Sequence, residues 1–336
     1  MLEMLEKKSV VVIGGGTGIY PVLQGLKKYR DAISIKAVIS MADSGGSNAR
    51  IRDEFGILPV SDINRALAAL STDVQDHDEL LRELFLYRFH NGVGLTGHNF
   101  GNLLLIALTD MLGSEEAAIK AASKILRIHG RVLPVTTDDI NIVAKFEDGV
   151  LTEGEHEIDE PTDDRIGKKI VDFYTTPKGK ITTEVDEAIR GADLVLLGPG
   201  DLYSSLLANC VIEGVPEAIQ ASKGIFVYAS NLMTSPGQTD TLTASQHVYE
   251  VAKYVGQMPD YVVINTGQVP AHLLERYAEA LQFPVVDDSD VLDCKIIKED
   301  LLSDDEIIKK KGDVLRRSLV RGDGDKFAKM LMGLLE

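Results

Sequence analysis

At 336 residues, with 44% hydrophobic and 26% charged side chains, the chain has ordinary globular composition, enough for one large α/β domain or two closely joined ones. A formal charge of −17, with no basic cluster longer than Lys309–Lys311, argues against nucleic acid or an anionic membrane as the main partner; any phosphate must be held locally. Two cysteines make neither a disulfide framework nor a metal quartet, MLEMLEKKS lacks an apolar signal core and Leu103–Leu108 is too short to span a bilayer, so a cytoplasmic protein without membrane insertion is expected.

The first element is SVVVIGGGTG, Ser9–Gly18. The unbroken run Val10–Ile13 suits a parallel strand covered on both faces. Gly14, Gly15, Gly16 and Gly18 surround Thr17, and apolar residues at 19, 22, 23 and 26 give the next segment a helical spacing. A glycine turn feeding a helix N-terminus offers bare N–H groups and a partial positive charge to an anion, so phosphate is the expected guest; a ligand-free tight turn is the alternative. Ile19 breaks the dinucleotide fingerprint and no Lys follows to make a P-loop.

A second strand, roughly Ile33–Ser40, ends at MADSGGSNAR, where Asp43, Ser44, Gly45, Gly46, Ser47 and Asn48 lie at a carboxyl edge, the ligand edge of doubly wound sheets. Asp43 suits a ribose hydroxyl or hydrated Mg²⁺, or it caps a turn. Arg50 and Arg52 suit phosphate or ordinary ion pairs with Asp53 and Glu54. Ser61 and Asp62 open an apolar helix through Leu70, and Asp76–Arg88 forms another. The glycine-rich loop 89–102 is a second candidate ligand loop carrying His90, His98, Asn99 and Asn102. A His there bonds phosphate or caps helix 99–112, and metal ligation ranks below both.

A helix over Ser114–Leu126 precedes a change of character. Residues 131–158 read as strands around Asp148-Gly149, a β-rich hairpin insertion over about 131–175, and DEPTDD at 159–164 reads as solvated loop. Ala192–Leu197 is a further buried strand ending in Gly198, Pro199 and Gly200, with Asp201, Tyr203, Ser204 and Ser205 at a helix start. This second glycine turn is expected at the same sheet edge as the first. Strand Gly224–Ser230 leads to NLMTSPGQTDTLT, where Asn231, Thr234 and Thr239 either read a base or sugar edge or belong to a long Ω-like loop. Helix 243–256, strand Tyr261–Asn265, helix 270–282, strand Pro284–Val286 and helix Asp325–Leu335 complete the series.

GGGTGIYPVLQGLKKY, ADSGGSNARIRDEFGILPVSDINRAL, LTGHNFGNLLLIALTD, HGRVLPVTT, ADLVLLGPGDLYSSLLAN and ASNLMTSPGQTDTLTASQHV stand in the order and spacing of the YvcK-like gluconeogenesis factors. The chain resembles that family, part of the superfamily of CofD, the 2-phospho-L-lactate transferase, over nearly its whole length. The resemblance implies one Rossmann-like α/β domain over 1–336: a doubly wound, mostly parallel sheet, a nucleotide cleft and the small insertion. YvcK-like members are similar to UDP-sugar binding proteins that support cell shape and growth on gluconeogenic carbon. CofD-like enzymes move a phospholactyl group from a nucleoside-diphosphate carrier to a deazaflavin with Mg²⁺. Carried over, nucleotide phosphates lie near Gly15, Gly16, Thr17 and Gly18, with contacts from Asn231 and the Gly198–Tyr203 turn. Tyr277 and Arg321 fall where the group places residues for the UDP-sugar.

The family's usual ADDGGSSGR is ADSGGSNAR here, so one of two carboxylates becomes Ser44, which weakens an Mg²⁺ site at Asp43. PGDIR is VSDIN, GHSLGN is GHNFGN, ASDH is ASQH and RHD is RGD, marking a divergent member. Two functions stay open. The favoured one is a non-catalytic UDP-sugar sensor read by a partner protein, with a homodimer as the usual prior. The other is an Mg²⁺-dependent transferase in which Asp43 and Asp62 hold the metal and His98 or Arg50 stabilises the transferred phosphoryl group.

Overall fold

The computed structural model describes residues 7–15, 18–42, 58–72, 76–92, 94–303, 319–320 and 322–336. Val10–Ile13 have no exposed surface, and they form the middle of β1 (Lys8–Gly14). A strand with layers on both faces has no solvent side with which to alternate, which is why the run is uninterrupted. The same reasoning holds for β7 (Leu194–Leu197), LVLL, buried at every position.

Seven strands make one sheet in the order β10-β9-β8-β7-β1-β2-β3. The remaining members are β2 (Ile33–Ile39), β3 (Arg131–Pro134), β8 (Ile225–Ala229), β9 (Tyr261–Asn265) and β10 (Lys295–Glu299). Every neighbouring pair is parallel. The chain runs outward from β1 through β2 to β3, then returns to β7 on the other side of β1 and proceeds to β10. The order therefore reverses between β1 and β7, and such a switch point opens a crevice beyond the carboxyl ends of its strands. Helices flank the sheet, among them α1 (Ile19–Lys27) after β1 and α2 (Ser61–Leu70) after β2. The last helix, α3 (Gly324–Gly333), packs on α1.

The small sheet is antiparallel, β5-β4-β6, from β4 (Asn141–Phe146), β5 (Leu151–Glu153) and β6 (Ile170–Thr176). Gly149, at φ +86°, sits in the expected turn between β4 and β5. Three expectations need correction. Residues 131–134 are not part of this insertion but the edge of the main sheet, paired with β2. Pro284–Val286 makes only an isolated bridge, Met233 to Pro284, and the outer strand is Lys295–Glu299. DEPTDD is not wholly solvated loop: Asp159 ends the short helix Glu155–Asp159 and bonds to other segments.

Candidate functional site

The two glycine turns leave the sheet at the same level. Ile13 pairs with Leu197, and the Gly198 N–H donates to Ile13 O at 2.9 Å. Gly198 takes φ +93°, a conformation costly for any side chain. The turns touch through main chain. A Cβ on Gly18 would lie inside van der Waals range of Pro199 O and 2.9 Å from Gly200 Cα. Asn209, wholly buried, ties them further: its Nδ2 donates to Gly14 O at 3.4 Å and to Ser205 O at 2.8 Å.

Asn231, at the end of β8, donates from Nδ2 to Gly200 O at 2.8 Å, and Tyr228 donates its hydroxyl to Asn231 Oδ1. Its amide is engaged in ordering the second turn. Asp62 reaches the first turn from the opening of α2: a Cβ on Gly15 would fall 2.6 Å from Asp62 Oδ2. Arg65 donates to Asp62 Oδ1 at 2.9 Å. A carboxylate beside the turn repels bare phosphate and suits a sugar hydroxyl or an intervening cation.

Asn99 and Asn102 do a different job from the expected ligand contact. Asn99 caps helix Phe100–Leu112 by accepting the Asn102 N–H at 3.1 Å. Asn64 Nδ2 donates to Asn99 Oδ1 (2.5 Å) and Asn102 Oδ1 (2.9 Å), while Asn102 Nδ2 donates to Ser61 Oγ at 2.9 Å. This buried amide cluster fixes the first turn of α2, hence Asp62. His98 is buried beside it.

Three expected ligand residues are engaged within the protein. Tyr203 donates its hydroxyl to Glu250 Oε2 at 3.2 Å and packs its ring on Phe173. Burial and the Glu250 charge push its phenol above the ordinary range. Thr234 donates N–H to Phe283 O and accepts the Phe283 N–H at Oγ1, binding the 283 segment. Tyr277, buried, accepts the backbone N–H groups of Leu319 (2.8 Å) and Val320 (3.0 Å). Gly16, Thr17, Asp43, Ser44, Gly45, Gly46, Arg50 and Arg321 lie outside the described residues.

The sequence reading missed a polar cluster behind the second turn. Ser204 Oγ and Gln238 Nε2 donate to Asp159 Oδ1 at 2.5 and 2.9 Å, and Ser235 Oγ donates to Asp201 Oδ1 at 2.9 Å. Burial and the Asp159 charge push the Asp201 carboxyl up to about 6. Asp201 stood in the glycine-turn motif, but no local spacing pointed to Asp159 as its companion. Asn209, four residues after Ser205, offered only the weak signal of a polar residue in an apolar helix.

A parallel sheet with paired glycine turns at its switch point defines a Rossmann-like α/β protein. The family model described as 2-phospho-L-lactate transferase CofD matches residues 10–302, and the chain belongs to that family. Its relatives carry the name gluconeogenesis factor. A putative one from Aquifex aeolicus is 40% identical, covering 99% of this chain and 98% of its own. The gluconeogenesis factor of Bacillus subtilis is 35% identical over 99% of this chain and all of its own. A crystal structure from Bacillus halodurans, of a UPF0052 family member, superposes with a TM-score of 0.87 at 35% identity, covering 99% of this chain and 100% of that one.

Proposed function

We propose that this protein binds a nucleotide-sugar of the UDP-sugar class in the crevice between β1 and β7. It acts there as a non-catalytic regulatory protein of the gluconeogenesis factor type, in the cytoplasm, supporting cell shape and carbon metabolism. The observation that carries the reading is the pair of glycine turns, which start level and meet through main chain at the switch point. Turns of this kind hold a diphosphate by backbone N–H groups, with no large basic patch required. That suits a chain of charge −17. Gly15 to Gly18 take the phosphates, Asp62 faces ligand hydroxyls, and Asn231 and Asn209 keep the turns in register. Tyr277 fastens the chain beside Arg321, whose guanidinium has the donor geometry for diphosphate or sugar oxygens.

Asp62 against Gly15 favours one second reading, the Mg²⁺-dependent transferase of the CofD type. There the carboxylate would hold a metal bridging to the phosphates while a phospholactyl-type group passes to a deazaflavin-like acceptor. Calorimetric titration of the purified chain with UDP-N-acetylglucosamine, UDP-glucose, GDP and a deazaflavin, each with and without Mg²⁺, separates the two. Binding confined to UDP-sugars and indifferent to Mg²⁺ is the expected result. GDP or deazaflavin binding only with Mg²⁺ favours the transferase, and no binding of any of them overturns both readings.

A further inference from the structure

Apart from the crevice, a cavity of about 230 Å³ lies between the chain entering β6, the loop after β8 and the helix Ala244–Val255. No residue of either run of glycines lines it. Gly167, at φ +78°, turns the chain at its wall, and Lys168 and Lys169 follow. Their backbone is fixed: Lys168 N–H donates to Arg165 O at 3.1 Å, and Lys169 O accepts the Glu147 N–H at 2.9 Å. Neither ammonium has an ion-pair partner among the described residues. Asp148, held low first by its hydrogen bond from Arg165, feels the Lys168 charge only at longer range. The rest of the wall brings acceptors. Asp240 Oδ2 takes the Gly237 N–H at 2.8 Å, and Glu250 Oε2 takes the Tyr203 hydroxyl at 3.2 Å, so each carboxylate keeps its other oxygen. Gln238, 4% exposed, spends Nε2 on Asp159, and its Oε1 has no hydrogen-bond partner. Tyr249 adds an aromatic side chain that is 49% exposed.

We propose that this cavity binds a small phosphorylated sugar, at a site separate from the crevice. A chain of charge −17 repels anions at a distance, so two lysines without carboxylate partners on a walled cavity mark a place where one is held. Lysine suits phosphate as a point charge, with no fixed angle to satisfy. The free oxygens of Asp240 and Glu250 and the Gln238 Oε1 are acceptors only, and hydroxyl groups are the donors that satisfy them. A cationic guest such as an amino acid fits less well, because Glu250 already faces the Lys253 ammonium at 3.3 Å. The Tyr249 ring offers a flat apolar surface to the C–H face of a sugar. Size sets the upper limit. At about 30 Å³ per water the space equals roughly eight waters, enough for one phosphorylated sugar and too little for a nucleotide-sugar. The Tyr203–Glu250 hydrogen bond joins this wall to the segment that follows Gly198-Pro199-Gly200.

The site does not depend on the nucleotide-sugar reading, and no nucleotide enters its test. The full chain is titrated calorimetrically, at constant ionic strength, with glucose 6-phosphate, glucose 1-phosphate and ribose 5-phosphate, and with glucose and inorganic phosphate for comparison. Saturable binding of at least one sugar phosphate is expected, with glucose and inorganic phosphate weaker by about tenfold or more. The double variant Lys168→Ala, Lys169→Ala should weaken that binding by about tenfold or more. Lys178→Ala, at an exposed lysine that does not line the cavity, should leave it unchanged. Equal loss in both variants overturns the proposal, since any lysine then serves. No binding of the three sugar phosphates overturns it too, as does inorganic phosphate bound as tightly as they are, because the acceptors then add nothing. Hydrogen exchange locates the guest. Slowed exchange over 167–170 and 238–250 supports the site, and slowing confined to the two glycine turns overturns it.

Discussion

Gly18 and Gly15 sit in one turn yet resist substitution for different reasons. Gly18 has φ −64° and ψ −50°, which alanine adopts freely. What forbids the side chain is the second turn, since the added Cβ meets Pro199 O, with Pro199 C at 2.8 Å, and neither can swing away. Overpacking against backbone costs about 1–3 kcal/mol, more than the ~0.4–1 kcal/mol that Gly→Ala gains by restricting the unfolded chain. Gly18→Ala should therefore lower stability by about 1–2 kcal/mol in urea unfolding and abolish UDP-sugar binding. At Gly15 the new methyl meets only the end of the Asp62 side chain, at 2.6 Å, which can rotate aside. Gly15→Ala should cost well under ~1 kcal/mol while uncoupling Asp62 from the turn. Equal destabilisation by the two would refute the main-chain contact. Tyr277 is a second single-residue control. Its oxygen satisfies two backbone N–H groups, so Tyr277→Phe leaves both without an acceptor, a cost of about 2 kcal/mol. The same variant should weaken UDP-sugar binding by loosening the chain that leads to Arg321. A variant of unchanged stability and affinity would show that the phenol oxygen is idle.

Elements in this protein meet where glycine lets backbones approach. Gly25 of α1 faces Gly324 at the start of α3: a Cβ on Gly25 would overlap Gly324 O, and one on Gly324 would lie 2.9 Å from Pro21 C. Through this crossing Phe327, Ala328 and Leu331 reach the core. Gly25→Val should unseat the helix, lowering the urea midpoint by the equivalent of about 3 kcal/mol or more. Lys28→Ala, which removes the exposed 2.6 Å ion pair to Asp325, should change stability by under ~1 kcal/mol. If the lysine change matters more than the glycine change, charge and not close packing seats the helix. Such crossings are hard to foresee, because Gly25 and Gly324 are 299 positions apart and neither stands in a turn motif. The main strands, by contrast, announce themselves: VVVI and LVLL are buried on both sides, and that demands continuous apolar runs. Arg131–Pro134 misleads for the opposite reason, since an edge strand followed closely by a hairpin looks like part of the hairpin. The glycine turns were readable as a pair because glycine marks close approach. The Asn64, Asn99 and Asn102 network was not, because Asn looks alike in a motif whether it faces a ligand or another amide.

The molecule as a whole has a pH dependence in which the carboxylate cluster and the surface pairs act in separate windows. Glu184 is held low, first by the hydrogen bond from Lys120 and then by the Arg131 charge, so its contribution is present above the usual carboxylate range and lost as pH falls below it. Asp201 has the opposite sign. Its carboxyl, pushed up from 3.8 to about 6 by burial and by Asp159, binds its proton more tightly in the folded chain than in the unfolded one. Between those values the native state carries the extra proton, so stability falls as pH rises through the window and stays lower above it. The charge that acts on it is that of Asp159, and Ser235 Oγ donates to its Oδ1. A pKa unit corresponds to about 1.4 kcal/mol, and because Asp201 is half-buried as a residue, screening by nearby water reduces the total effect to about 1–2 kcal/mol. Asp201→Asn should therefore be more stable than the unmodified chain at pH 7.5 by about 1–2 kcal/mol and equal to it near pH 4. Urea unfolding of both proteins at four or five pH values measures this. Parallel pH profiles for the two proteins would mean that Asp201 titrates alike in the folded and unfolded chains and that its burial beside Asp159 carries no electrostatic cost.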